Sequence, residues 1–254
     1  MQRWSGRVAL VTGASAGIGA GLVKALVKHG MKVVGCARNV DNIQKLADEL
    51  KDEPGTVKAV RCDVSKEEDV LAMFKMIRAD PDLGGVDVCI NNAGLAHDDT
   101  LLTGRTTQWR EMVDVNVLGV CMCSREAFQS MQERKVDDGH IIVLNSMSGH
   151  RVIPRSGTHF YSATKFAVTG IVEGLRQELR ELKSGIRVTS ISPGLVETEF
   201  SYRMMKDDEK AKAIYSTIPC LQVDDITSTV IFALQSPKHM EVNDVLIRPT
   251  AQSS

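Results

Sequence analysis

The stretch Val8-Ala-Leu-Val-Thr12-Gly13-Ala-Ser-Ala-Gly17-Ile-Gly19 decides the fold. Its first five residues form a short apolar run of strand composition, and glycines follow where a strand must turn sharply. Ile18, Leu22, Ala25 and Leu26 then take the spacing of a one-faced helix. A strand, a glycine-rich turn and a helix in that order let the backbone approach a pyrophosphate, with the helix N-terminus facing the negative charge. Gly19 lies close enough to the helix start for strand and helix to pack tightly. Gly13, Ser15, Ala16, Gly17, Ile18 and Gly19 are therefore the candidate dinucleotide cradle.

Further runs of strand composition follow at Lys32–Ala37, Val57–Cys62, Val86–Ile90, His140–Asn145, Ile186–Ile191 and Val245–Ile247. Their continuous hydrophobicity predicts strands covered on both faces. Between them the period changes, as at Ile43, Leu46, Ala47 and Leu50. The expected fold is α/β: a doubly wound parallel sheet of about seven strands with helices on both faces, ligands binding outside the carboxyl ends of the strands. A single domain spanning residues 1–254 is expected, with a substrate-loop insertion at about 195–219. That insertion follows Pro193-Gly194, carries Tyr202–Met205 and the charged Lys206–Lys212, and is expected to be a long helical lid above the sheet.

Composition narrows the function. With 254 residues, 43% of them hydrophobic, and a formal net charge of -1, the chain has a sizeable core but no broad basic field for nucleic acid or anionic membrane. No run is long enough for a membrane span or signal segment, so a cytoplasmic location is expected. The six cysteines include no Cys-x-x-Cys, and Cys121-x-Cys123 has no matching Cys/His pair at ligand spacing. No metal site is expected.

The second strand ends in Arg38-Asn39 rather than in the acidic residue that would bind the ribose 2′-hydroxyl of NAD. A guanidinium there suits the 2′-phosphate of NADP, although no basic residue in the glycine turn reinforces it. Asp63, followed by Val64, either accepts from the adenine amino group or caps the helix beginning near Lys66.

Tyr161-Ser-Ala-Thr-Lys165 places a phenol and an ammonium one turn apart on a helix face continued by Val168 and Val172. A phenol of ordinary pKa about 10 is a poor base at neutral pH, and a neighbouring ammonium is expected to lower that value. Tyr161 then becomes a general acid/base. Ser146, at the end of the strand His140–Asn145, is placed to bind a substrate oxygen, with Ser148 as its rival. Asn116 follows Trp109, Met112 and Val113 at helical spacing, so its amide is buried and must bond either to backbone or to an ordered water near Lys165.

Taken in order, the glycine turn, Asn91-Asn92-Ala93-Gly94, Asn116, Ser146, Tyr161-x-x-x-Lys165 and Pro193-Gly194 resemble the short-chain dehydrogenase/reductase family over essentially the whole chain. The resemblance implies a Rossmann fold and a catalytic tetrad. Tyr161 exchanges the substrate proton, Ser146 orients the substrate oxygen, Lys165 holds the nicotinamide ribose, and Asn116 carries a proton-relay water. It also implies that Asn91, Asn92, Ala93 and Gly94 wall the adenosine–ribose site and that Pro193, Gly194, Val196 and Thr198 meet the nicotinamide end. The interval from Ser146 to Tyr161 is longer than many members have, so the loop from Gly149 to Phe160 is expected to bulge toward the substrate. Asn145–Arg151 and Thr158–Lys165 resemble a branch of the family that works with NADP on apolar alcohols. The implied substrate is a small apolar alcohol/carbonyl, isoprenoid alcohols such as farnesol being favoured over keto- or hydroxysteroids and other carbonyls. The long helix expected over Thr158–Lys183 carries Ala163, Ala167, Gly170 and Gly174; small residues permit close helix approach, and a homodimer or homotetramer is expected.

Overall fold

The computed structural model describes residues 1–252, and among these seven strands form one parallel sheet in the order β3-β2-β1-β4-β5-β6-β7. Along the chain, β1 (Val8–Thr12) leads into α1 (Gly17–Lys28), β2 (Lys32–Ala37) into α2 (Asp41–Glu49), and β3 (Thr56–Arg61) into α3 (Glu67–Ala79). Then come β4 (Val88–Asn91), α4 (Thr106–Val113), α5 (Gly119–Glu133), β5 (His140–Leu144), α6 (His159–Glu181) and β6 (Arg187–Pro193). The described chain ends with α7 (Phe200–Met205), α8 (Asp208–Tyr215), α9 (Val223–Gln235) and β7 (Asp244–Ile247). Every strand run expected from the sequence is present.

Alternation along each strand divides the core into two layers. Val8 and Leu10 of β1 pack with Phe74 of α3, Met131 of α5 and Val168 and Val172 of α6. Ala9 and Val11 face the other way, toward Leu22 and Leu26 of α1 and Ile226 and Val230 of α9. Both faces are therefore sealed, as continuous apolar strands require. Cys36, Cys62, Cys89 and Cys123 belong to the first layer, where burial pushes the Cys89 thiol up to about 12. They serve as small hydrophobes.

The sheet reverses direction of growth between β1 and β4, neighbours paired Ala9 to Val88 through Val11 to Ile90. A crevice must open at the carboxyl ends of these strands, because their connecting helices depart to opposite faces. No helix among the described residues is long and apolar enough to cross a membrane.

Two expectations about helices need correction. The excursion after β6 is not one long helix: Lys206, at φ 52°, ends α7 in the left-handed conformation, and Asp207 caps a separate α8 through its contact to the Lys210 N–H. The helix expected through Trp109 to Asn116 is likewise interrupted, by a π-helical turn at Asp114–Leu118 between α4 and α5.

Candidate active site

A cleft of about 1060 Å³ lies along the carboxyl ends of the strands. This exceeds the space of a typical small-molecule site and has room for a dinucleotide and a second ligand together. The glycine turn forms one end. Gly13 holds φ +66°, and a Cβ there would stand 2.9 Å from the Cα of Ala93. At Gly19 a Cβ would collide with the carbonyl oxygen of Gly13. The Thr12 hydroxyl accepts from the N–H groups of Asn92 and Ala93, both at 3.0 Å, while the Asn92 side chain donates to the carbonyls of Thr12 at 2.8 Å and Gly13 at 3.2 Å. Thr12, which sequence reading passed over as the end of a strand, thus ties the turn to the end of β4.

These features fit a dinucleotide pyrophosphate. The first N–H groups of a helix have no intrahelical acceptor, α1 has no side-chain cap at Ala16, and its first turn holds no acidic residue. An anion is the complementary partner for that end. Arg38 and Asn39 line the same cleft at the end of β2, with Arg38 exposed and Asn39 accepting from the N–H of Asp41 at 3.0 Å. Asp63 and Val64 line it from the segment just past β3. Asp63 does not cap α3: the cap position is Lys66, and the Asp63 carboxylate closes a local turn by accepting from the N–H and hydroxyl of Ser65 at 3.1 and 2.7 Å.

Gly13, Ser15, Ala16, Gly17, Ile18, Gly19, Asn92, Ala93, Gly94, Pro193, Gly194, Val196 and Thr198 all line this cleft. Asn91 does not. Its side chain turns into the α5 layer and donates to the Ser124 hydroxyl at 3.0 Å, because residue alternation at the end of β4 sends Asn91 inward.

Across the cleft, α6 presents Tyr161 and Lys165, and Ser146 stands two residues past the end of β5. Ser146 is half-buried and faces the phenol, favouring its ionised form. Ser148 is buried, and its N–H donates to the Ser146 hydroxyl oxygen at 3.1 Å. Of the two serines, Ser146 therefore has the open hydroxyl. The Lys165 ammonium donates to the Leu144 carbonyl at 2.8 Å and lies 5.8 Å from the centroid of the Tyr161 ring. The expected lowering of the phenol pKa is absent from this arrangement: burial dominates both groups, pushing Tyr161 up to about 12 and Lys165 down to about 8.

Asn116 is buried in the π-helical turn and does not line the cleft. Its oxygen accepts from the Leu95 N–H at 2.9 Å, and its amide donates to the Leu95 carbonyl at 2.8 Å and the Thr164 hydroxyl at 3.1 Å. The bonds found are to backbone and hydroxyl, so the relay implied by resemblance finds no direct support in them. Asn116 instead pins the segment after β4 to α6, beside Lys165.

The remaining wall comes from separate elements. Ile153, Arg155 and Thr158 reach the cleft from the long loop before α6, as its length predicted, and Arg155 pairs with Asp98 at 3.2 Å. Phe200, Met204, Ile214 and Ile218 line it from the α7–α8 excursion, whereas Met205 does not. The Phe200 ring centroid lies 5.7 Å from that of Tyr161. The Tyr215 hydroxyl donates to the Thr198 carbonyl at 2.7 Å, and the Gln252 side-chain oxygen accepts from the Leu195 N–H at 3.0 Å. Phe200 and Gln252 escaped sequence reading, since neither belongs to a local pattern around the cleft.

Comparison with known proteins bears directly on this geometry. The family profile described as short chain dehydrogenase matches residues 7–209. The chain belongs to the short-chain dehydrogenase/reductase family. Within that family, human dehydrogenase/reductase SDR family member 11 is 58% identical over 255 residues, covering 99% of this chain and 97% of that protein. Farnesol dehydrogenase of Aedes aegypti is 42% identical, covering 99% of each. Among solved structures, the closed form of a serine dehydrogenase complexed with NADP+ superposes with a TM-score of 0.87 at 31% identity, covering 97% of this chain and 96% of that one. The chain is thus a short-chain oxidoreductase with the Rossmann fold of its family.

Proposed function

We propose that this short-chain dehydrogenase/reductase is an NADP-dependent alcohol dehydrogenase/carbonyl reductase acting on small apolar alcohols or their carbonyl partners, isoprenoid alcohols such as farnesol being the favoured class. The observation that carries this reading is the position of Tyr161, Ser146 and Lys165 on one cleft with the glycine turn. NADP(H), when bound, supplies or accepts the hydride. The chain itself binds, orients and moves a proton. Gly13 to Gly19 and the start of α1 hold the pyrophosphate. Arg38, with Asn39, takes the 2′-phosphate, Asp63 and Val64 flank the adenine, and Asn92, Ala93 and Gly94 wall the ribose.

Lys165 holds the nicotinamide ribose, and Pro193, Gly194, Val196 and Thr198 border the nicotinamide end. Tyr161 gives its phenolic proton to a carbonyl oxygen or takes one from an alcohol, and Ser146 donates a hydrogen bond to the same oxygen. Asn116 supports this pair by fixing Leu95 and Thr164. Phe200, Met204, Ile214 and Ile218 offer the substrate an apolar surface. The farnesol dehydrogenase named above supports the substrate class, and the NADP+ complex of the serine dehydrogenase supports the cofactor.

The whole chain acts as one catalytic domain with the 195–219 segment as its substrate loop, in the cytoplasm. It assembles as a homodimer or homotetramer through the outer faces of α5 and α6, where Phe166 is 43% exposed and nothing lies within 4 Å of a Cβ built at Gly170 or Gly174.

The test is NADPH consumption against a panel of isoprenoid aldehydes, ketosteroids and simple diketones, with NADH alongside. Turnover of an apolar carbonyl with NADPH preferred is expected. In Arg38→Ala that preference falls by roughly ten- to a hundredfold, the value of a charge-assisted phosphate contact of about 1.5–3 kcal/mol. Equal use of NADH by the unaltered chain contradicts the cofactor assignment.

A further inference from the structure

Thr169 stands one helical turn beyond Lys165 on α6, outside every motif that marks the cofactor or the reacting centre. Its hydroxyl is nevertheless the junction of three elements. It accepts from the Asn145 amide at 2.9 Å and donates to the Gly149 carbonyl at 3.0 Å or the Lys165 carbonyl at 3.3 Å. A hydroxyl carries one proton, so its donor is committed to this junction while its oxygen receives the Asn145 amide. Asn145 immediately precedes Ser146, and Gly149 closes the same turn.

The rest of the turn leaves little freedom. Ser146 accepts from the Ser148 N–H through its hydroxyl oxygen at 3.1 Å and from the Gly149 N–H through its carbonyl at 2.9 Å. A Cβ at Gly149 would stand 2.7 Å from both the Asn145 amide nitrogen and the Lys165 carbonyl oxygen, so the turn rests directly on the helix backbone. The Asn145 side chain is buried, its oxygen finds no hydrogen-bond partner among the described residues, and its amide nitrogen bonds to Thr169. Loss of the Thr169 hydroxyl would strand that amide and leave the Gly149 carbonyl without its side-chain donor, both in a buried place where unpaired polar groups are costly.

We infer that Thr169, acting with Asn145, is a positioning residue that locks the Ser146 turn onto α6 and so sets the placement of the Ser146 hydroxyl relative to the Tyr161 phenol. The inference rests on the function proposed above for Ser146 and Tyr161. A sub-ångström slip between two elements is enough to matter for proton transfer, and a displacement of about 1 Å costs up to a hundredfold in rate.

The experiment compares the intact chain with Thr169→Val, Thr169→Ser, Asn145→Ser and the Thr169→Val/Asn145→Ser double variant. The best carbonyl of the panel above serves as substrate, and hydrogen exchange of residues 146–151 is followed in parallel. Thr169→Val is expected to lower kcat roughly ten- to a hundredfold with the KM for NADPH little changed. It should also raise exchange in 146–151, and Thr169→Ser should restore both. The double variant should be no worse than the poorer single one, because one shared contact is lost only once. Loss of exchange protection with kcat unchanged overturns the positioning role, and so does unchanged protection.

Should Thr169→Val not fold, Asn145→Ser reads the same contact from its other side, with the same outcomes. If the unaltered chain turns over nothing, the proposed function has failed, and the exchange data alone decide the clamp. Increased exchange confined to 146–151 upholds it, while unchanged or chain-wide exchange overturns it.

Discussion

Lys165 and Tyr161 stand one turn apart on α6 with the ammonium 5.8 Å from the phenol ring centroid, yet the ammonium gives its hydrogen bond to the Leu144 carbonyl. The pair is therefore linked through space and not by a direct bond. Lys165 is buried and Tyr161 half-buried at the cleft wall, and desolvation moves each toward its neutral form. A cofactor ribose bonded to Lys165 would favour the ammonium again, which makes the positive charge most useful when the site is filled.

Burial of Lys165 has a pH signature. Its folded pKa, about 8, lies below the ordinary 10.5, so between those values the unfolded chain holds the extra proton and stability rises with pH. Below about 8 the full cost of burying the ammonium applies, about 3 kcal/mol at 1.36 kcal/mol per pH unit. Tyr161 acts oppositely: with a folded pKa near 12 against the ordinary 10.0, it loses stability from pH 10 upward. Urea unfolding of Lys165→Met and the unaltered chain at pH 7 and pH 9.5 is expected to show the variant's relative advantage shrinking at the higher pH. A constant difference would show that Lys165 titrates normally.

The glycine turn gives a steric prediction. A Cβ at Gly19 meets backbone at the Gly13 carbonyl, which cannot rotate away, and also crowds the Asn92 side-chain amide that ties the turn to β4. Gly19→Ala should destabilise the chain by about 1–3 kcal/mol, as overpacking does. Tm should fall by about 2–4 °C per kcal/mol, and added NADPH should no longer raise it. A normal NADPH shift in that variant would place the dinucleotide elsewhere.

Much of this architecture was legible in advance because parallel strands buried on both faces are continuous apolar runs. Val8–Thr12 and Lys32–Ala37 stand where such runs placed them. The glycine turn and the Tyr161–Lys165 spacing were equally plain, since both are local. What could not be read depends on distant partners. Asn116 was seen to be buried, but Leu95, its main partner, lies 21 residues away, and the π-helical turn that aims the amide leaves no periodic mark. Gln252 reaches Leu195 across 57 residues. The break between α7 and α8 rests on one left-handed residue, Lys206, a conformation that lysine seldom adopts and that its sequence does not advertise. The phenol pKa departs from expectation because an opposite charge one turn away is local in sequence, whereas the burial of both side chains comes from the whole fold.

Assembly is open to direct measurement. Phe166 on α6 and Leu118 before α5 are 43% and 48% exposed, apolar side chains whose burial against a second copy would be favourable. Light scattering is expected to give a dimer or tetramer mass, and Phe166→Glu to shift it toward the monomer. A strict monomer in the unaltered chain would remove the assembly proposal.

The proposed chemistry turns on the Tyr161 phenol moving the substrate proton. Tyr161→Phe keeps the ring and removes the oxygen, so NADPH affinity, read by fluorescence, should stay within about twofold. Turnover of the best carbonyl should fall roughly a hundred- to ten-thousandfold, the usual contribution of a positioned general acid. Turnover by Tyr161→Phe within a few fold of the unaltered enzyme would contradict the mechanism outright.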